Sequence, residues 1–323
     1  MAHPAYRSDV ETDGVERRPV WRKRLLAVVV GIAVLATSVL IVAWMTAPAP
    51  VRPKEIVLGR LRADGSRFVP LRAISPVLQR AIVATEDERF YRHHGIDVIG
   101  LTRAFAYDAS HLTLSQGGST LTEQLAKVLY LRGSDDSPWR KLQDAVVAIR
   151  LESNLSKQQI LDLYLNSVYF GDGAYGVGAA SERYFGIGPS HLDLARASIL
   201  AGVIQDPSGY DPLVHPSLAR QRQVQVLTSM VRDGYVTEDQ GLAALHDPIP
   251  LGDGSDLPPI EAEIVAPDTS FARLPLVAGF ALLVVGLASF LVVRRIRRPL
   301  AFGLAAVVGV AAVSLIARSV KVA

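Results

Sequence analysis

The sequence predicts a mainly α extracytoplasmic domain carried between membrane spans, and three observations predict it. Uncharged apolar stretches run from Leu25 to Trp44, from Leu274 to Val293 and from Leu300 to Ala317. Each holds about 18–20 residues, about enough at 1.5 Å per residue to cross a hydrocarbon core near 30 Å thick. Between the first two, apolar residues recur with a helical period. Helix-start signals punctuate the same region, with few signs of strand.

Arginine and lysine set the orientation. Arg17, Arg18, Arg22, Lys23 and Arg24 precede the first stretch, and Arg294, Arg295, Arg297 and Arg298 fill the turn between the second and third. The positive-inside rule puts both clusters in the cytoplasm. The chain then divides into a cytoplasmic basic tail (1–24), a span (25–44), an extracytoplasmic domain (45–250), a Pro/acid-rich tether (251–273), a span (274–293), a basic cytoplasmic turn (294–299), a span (300–317) and a short tail (318–323). The first stretch exceeds the apolar core of a cleavable signal peptide, which favours an uncleaved anchor over a removed leader. The formal charge of +3 arises from clusters beside spans, so nucleic acid is not an expected partner. With no cysteine, the fold must rest on its core rather than on disulfides.

The individual elements follow from local chemistry. Ser75-Pro76 and Ser137-Pro138 read as N-caps followed by first helical residues. Ser156 with Gln159 and Thr237 with Gln240 have capping-box spacing. Gly171, Gly234 and Asp206-Pro207 read as stops. The segment Glu55 to Val69, with Asp64-Gly65 at its middle, is predicted as a small hairpin. Gly-rich phosphate loops of the P-loop or dinucleotide kind are absent, which argues against a nucleotide-driven enzyme.

One segment, ATEDERFYRHHGID at 84–97, combines paired acids, aromatics, histidines and a glycine. Leu78, Ile82 and Glu86 are spaced by four, so Glu86 extends an apolar helical stripe. A carboxyl there is partly desolvated, which raises its pKa toward that of a useful proton acceptor. An ordinary helix-end acid has the same spacing, so spacing alone leaves both readings open.

ATEDERFYRHHGID resembles the first signature, EDxxFxxHxGxD, of the peptidoglycan glycosyltransferases, found in bifunctional penicillin-binding proteins and in monofunctional transglycosylases. GGSTLTEQLAKVLYL at 117–131 resembles the second signature, and RKLQDAVVAIRLE at 140–152 resembles the third, RKxxExxxAxxLE. The blocks at 157–186 and 195–212 follow in the family's order. The resemblance implies a lysozyme-like, mainly helical domain that polymerises lipid II onto a growing glycan chain. Polyprenyl diphosphate is released, and the anomeric carbon is inverted. It also implies a cell-membrane location with the domain outside.

By position, the resemblance makes Glu86 the catalytic base and places Asp144 where the family has a second catalytic glutamate. It makes Lys127 and Arg140 diphosphate-binding cations. Asp87 is the second acid of the first signature, able to orient Glu86 or to hold a loop, and it is grouped with the substrate contacts. So are Ser119, Thr120 and Gln124, of which Thr120, Gln124 and Lys127 form a polar stripe opposite Leu121, Leu125 and Val128. Phe90, His93, Gly95 and Asn166 are read as structural or supporting residues. Lys127 also fits a solvated helix face, and Arg140 with Asp144 fits an ordinary surface pair. Magnesium or manganese suits diphosphate release, and no organic cofactor is expected.

Departures from the family pattern qualify the expectation. Asp144 is one methylene shorter than glutamate, Glu123 replaces a glutamine, Val128 an asparagine, and Arg196 an acid. Glu123 could weaken diphosphate attraction or complete a capping box with Thr120. Where bifunctional relatives carry a penicillin-binding domain, this sequence has the tether and two apolar stretches, so a monofunctional enzyme is expected. Gly303, Ala305, Ala306, Gly309, Ala311 and Ala312 would permit close helix packing with a membrane partner in cell-wall synthesis. The alternatives are a catalytically impaired scaffold that binds lipid II, and a lysozyme-like enzyme that cleaves glycan.

Overall fold

The computed structural model describes residues 20–111, 118–131, 133 and 137–264; the predicted spans at 274–293 and 300–317, and the basic turn between them, lie outside these. Eleven α-helices occur among the described residues: α1 (Val20–Thr46), α2 (Pro53–Ala63), α3 (Pro76–Glu86), α4 (Val98–His111), α5 (Leu121–Tyr130), α6 (Pro138–Asn154), α7 (Lys157–Leu165), α8 (Val177–Phe185), α9 (Leu194–Val203), α10 (Pro216–Arg232) and α11 (Glu238–His246). Strands β1 (Ile249–Pro250) and β2 (Asp256–Leu257) pair antiparallel. The fold is mainly α, as the periodicity predicts. The chain divides into two compact units, one containing α1 up to Ile41 and the other running from Val42 to Phe280.

Helix α1 is apolar, and its stretch Ala27–Thr46 is long enough to cross a membrane. In the second unit, the final turn of α1 leaves carbonyls with no intrahelical donor. Arg150 of α6 answers them, donating to Ala47 O at 2.9 Å and Trp44 O at 2.5 Å, and stacking its guanidinium 4.7 Å from the Trp44 ring centroid.

Several helix starts are built as their residues predict. Ser137 accepts from Arg140 N, and Ser156/Gln159 and Thr237/Gln240 form reciprocal capping boxes. Ser75 does precede α3, but its hydroxyl donates to Leu192 O at 2.7 Å instead of capping. Two segments differ from expectation. Residues 53–63 form α2 rather than half of a hairpin, because Pro53 opens a helix and Val57 and Leu61, four apart, bury one face. Asp64-Gly65 ends that helix instead of joining strands. Where an extended tether is predicted, residues 249–264 fold back on the second unit, burying Ile249, Leu251, Leu257 and Ile264. The reason is Arg220 of α10, 1% exposed, which donates to Asp247 O and Leu257 O at 2.9 Å each. A buried guanidinium requires acceptors, and the returning chain supplies them.

Two packed groups of helices position the site. Leu78, Ala81 and Ile82 of α3 bury against α9 and α10, whose Leu200, Val226, Leu227 and Met230 are 0% exposed. Leu121 and Leu125 of α5 pack toward α6 and α7 with Val147, Leu151 and Ile160. Each such aliphatic contributes roughly 1.5–3 kcal/mol by burial. Between the groups, Gly95 (φ +87°) lets its turn approach α6, and a Cβ there would lie 2.8 Å from Ile149 Cα.

Gly95→Ala should therefore destabilise the domain by about 3 kcal/mol or more, through strain and overlap together. Gly65→Ala, with comparable φ (+69°) and nothing within 4 Å, isolates the conformational part and should cost about 1 kcal/mol. Chemical denaturation of the two variants gives the comparison.

Candidate active site

Glu86 is the last residue of α3, where the apolar row Leu78–Ile82 runs out into a cleft. Burial pushes its carboxyl above the usual range, and the neighbouring Asp87 charge adds to this. A hydrogen bond from Gln124 and the Arg222 guanidinium oppose it. Gln124 Nε2 donates to Glu86 Oε2 at 2.8 Å, and its Oε1 accepts from the hydroxyl of Tyr164, also at 2.8 Å.

The cleft holds about 500 Å³ and is walled by Glu86, Gln124, Lys127, Arg140, Asp144 and Arg222, with Ser119, Glu123 and Lys141 at its side. A second cavity of about 300 Å³ shares Thr85, Glu86, Ser119, Gln205 and Arg222 with it, so Glu86 stands on the wall between two openings. Such an arrangement can present one proton acceptor to reactants entering from either side, with cations gathered in the larger opening.

The other acids of the segment do different work. Asp87 is buried, and its Oδ2 accepts from Leu121 N at the start of α5 at 2.9 Å. His93 Nε2 lies 3.0 and 2.9 Å from the two Asp87 oxygens. Thr120 is 2% exposed and caps α5, accepting from Glu123 N and donating to Gly95 O at 2.7 Å. Asp87 and Thr120 thus bond to protein, not to the larger cleft. Phe90 is fully buried, with Lys157 Nζ 4.5 Å from its ring centroid. Asn166 pairs with both backbone atoms of Val69 at 2.8 Å, imitating a strand neighbour.

Glu123 stands in the cleft wall with its charge already engaged. Its Oε2 accepts from Thr120 N at 2.8 Å and its Oε1 pairs with Lys141 Nζ at 3.3 Å. The capping box resolves the choice left open by the sequence. Lys141 also donates to Ser119 Oγ at 2.5 Å. Asp144, 2% exposed, has Oδ2 3.8 Å from Arg140 Nη1, while its Oδ1 has no hydrogen-bond partner among the described residues. Burial raises its pKa; Arg140, Lys141 and Lys127 pull it down, and Glu123 pushes it up. Among the described residues no group of three or more His, Asp or Glu could hold a metal ion.

Three residues of the site escape sequence reasoning. Arg222 lines both cavities, but in sequence it sits beside Arg220 and Gln223 on a polar-looking helix and carries no signal. Tyr164 reads only as core. Lys141 could have been found, since it adjoins Arg140 and falls three residues before the cleft acid Asp144 on the same helix.

Residues 54–231, more than half of the chain, match the Transglycosylase family model. The chain belongs to the peptidoglycan transglycosylase family. A transglycosylase of Cupriavidus necator is 43% identical over 184 residues, covering 57% of this chain and 79% of that protein. Penicillin-binding protein 2D of Bacillus subtilis is 37% identical over 229 residues, 67% of this chain and 33% of its own length. Penicillin-binding protein 1A of Neisseria gonorrhoeae is 38% identical over 191 residues, 59% of this chain and 24% of that one. This transglycosylase chain thus spans a third or less of those two relatives. Penicillin-binding protein 1A of Haemophilus influenzae is similar at 23% identity over 68% of this chain and 22% of its own, with a TM-score of 0.35.

The raised pKa of Glu86 has a stability consequence. The folded state holds the proton more tightly than the unfolded one, so stability falls as pH rises through the folded pKa. Glu86→Gln removes that penalty. Its unfolding midpoint should exceed the parent's at about pH 7, and the gap should close toward about pH 4; thermal melts across this range give the comparison.

Proposed function

We propose that this transglycosylase polymerises lipid II into glycan strands at the outer face of a bacterial cell membrane, anchored by α1 with its N-terminus in the cytoplasm. The observation that carries the reading is the one cleft that Glu86 lines together with Lys127 and Arg140. The domain would share the lysozyme-like fold of its family.

The chemistry follows from that grouping. A sugar hydroxyl attacks the anomeric carbon of the diphosphate-linked chain from the face opposite the leaving group, giving inversion. Glu86 takes the hydroxyl proton as the new C–O bond forms. The old bond to the diphosphate breaks, and its electron pair leaves on the polyprenyl diphosphate. Partial desolvation keeps Glu86 basic enough to accept a proton near neutral pH. Lys127 and Arg140 stabilise the charge building on the departing oxygens, Arg140 with a planar fork suited to phosphate. A neutral sugar leaving group would need no such pair, which weighs against a glycan-cleaving enzyme. Ser119 and Gln124 line the same cleft.

Asp144 would assist at the leaving group. Its Oδ1, free of hydrogen bonds among the described residues, is one protein oxygen that magnesium or manganese could use, with the rest of the coordination coming from the diphosphate and water. A bound divalent ion would supply charge neutralisation on the diphosphate. The impaired-scaffold reading rests on Asp144 being one methylene shorter than the glutamate it replaces. A membrane partner in cell-wall synthesis, engaged by residues 274–317, is proposed on their small-residue content.

Full-length protein in liposomes with lipid II should make long glycan, and Glu86→Gln should reduce the rate by about 10²–10⁴-fold. Lys127→Ala should cut kcat/KM by about tenfold or more. Asp144→Glu should hold or raise the rate if the shorter acid limits it. Chelation should slow the reaction, with recovery on adding magnesium or manganese. Binding of lipid II without polymerisation would establish the scaffold; full rate in Glu86→Gln would remove Glu86 as base.

A further inference from the structure

An amide side chain offers nearly the same shape either way round, with a donor at one end and an acceptor at the other. Which end meets Glu86 matters. An N–H facing the carboxylate favours its ionised form, whereas a carbonyl facing it can be satisfied only if Glu86 carries a proton. In this chain Gln124 presents Nε2 to Glu86, and behind it Oε1 accepts from Tyr164. Tyr164 is 0% exposed and sits near the end of α7, one residue before the helix stops. Among the described residues, Gln124 Oε1 is the acceptor of its hydroxyl. If the amide turned over, the phenol proton would lose that acceptor inside the core, where an unmet donor is costly.

We infer that Tyr164 is a positioning residue for the base: its buried hydroxyl fixes the Gln124 amide so that Glu86 meets an N–H and not a carbonyl. The inference rests on Glu86 being the base. Its effect is on proton affinity, not on contact with substrate. The other groups acting on Glu86 are Asp87 beside it, Arg222 from α10 and Tyr164 itself, with Lys127, Arg140 and Asp144 lining the same cleft. Of these groups, Tyr164 is the one whose hydroxyl bonds the Gln124 amide. Burial and the nearby Glu86 and Asp87 charges also hold the Tyr164 phenol well above its usual pKa, so it remains a donor throughout the working range.

The test is the pH–rate profile for lipid II polymerisation by the full chain. Tyr164→Phe removes one oxygen and should move the acid limb upward by on the order of half a pH unit. The high-pH rate should stay close to the parent's. Gln124→Leu should move the limb upward as well, and Tyr164→Phe with Gln124→Leu should move it no further than Gln124→Leu alone. Tyr164→Met, which also lacks the donor, should shift the limb like phenylalanine and serves if one of the two folds poorly. An unmoved limb with a rate reduced evenly at every pH would make Tyr164 a packing residue and overturn the inference, as would fully additive shifts. Full activity in Glu86→Gln would overturn both this inference and the assignment of the base. An inactive Glu86→Gln with an unmoved limb in Tyr164→Phe would overturn this inference alone.

Discussion

The carboxylate of Asp87 joins two helix ends, and the rest of the site depends on that joint. Glu86 is the last residue of α3, and Gln124 and Lys127 lie on α5, separate in sequence and resting on different packed groups. Asp87 accepts the first free amide of α5 at Leu121, a position where helix N-termini favour negative charge. His93 holds the same carboxylate from behind, and Glu152 stands 3.8 Å from the other ring nitrogen, itself bonded to Thr122 and Lys157. Gly95 and Thr120 close the seam from the other side. Glu86 and the cleft cations therefore keep their separation because a buried acid beside Glu86 spends one of its oxygens on the opposing helix.

Charge in the larger cleft is nearly partitioned by role. Glu123, the acid most threatening to an anionic ligand, is occupied by its own helix terminus and by Lys141. Burial raises the pKa of both Glu86 and Asp144, against Gln124 and Arg222 at the first and against Arg140, Lys141 and Lys127 at the second. Surroundings, rather than residue type, thus tune these two carboxyls in one cavity.

Much of this arrangement is legible in the amino-acid sequence. The row Leu78–Ile82–Glu86 places Glu86 at a helix end, and serine and threonine mark many helix starts, because these are local effects of spacing and hydrogen bonding. Of the polar stripe that the spacing predicts on α5, Gln124 and Lys127 line the larger cleft, whereas Thr120 caps its helix and Val128, on the predicted apolar side, also lines the cleft. Asp64-Gly65 has the chemistry of a hairpin turn, and only the burial of Val57 and Leu61 decides for a helix. Arg222 and Tyr164 were illegible because their importance comes from tertiary neighbours on α3 and α5. Arg220 gave no warning that it would draw the predicted tether back onto the domain.

That returning segment bears on where the folded body can be cut. The family match ends at residue 231, and the last helix among the described residues at His246, so either would look like a natural terminus for a soluble fragment. Either cut strips the guanidinium of Arg220 of the Asp247 and Leu257 carbonyls, leaving a positive charge in a dry interior, and bares the apolar wall now covered by Ile249, Leu257 and Ile264. The folded unit thus includes at least the residues up to 264, some thirty past the end of the family match.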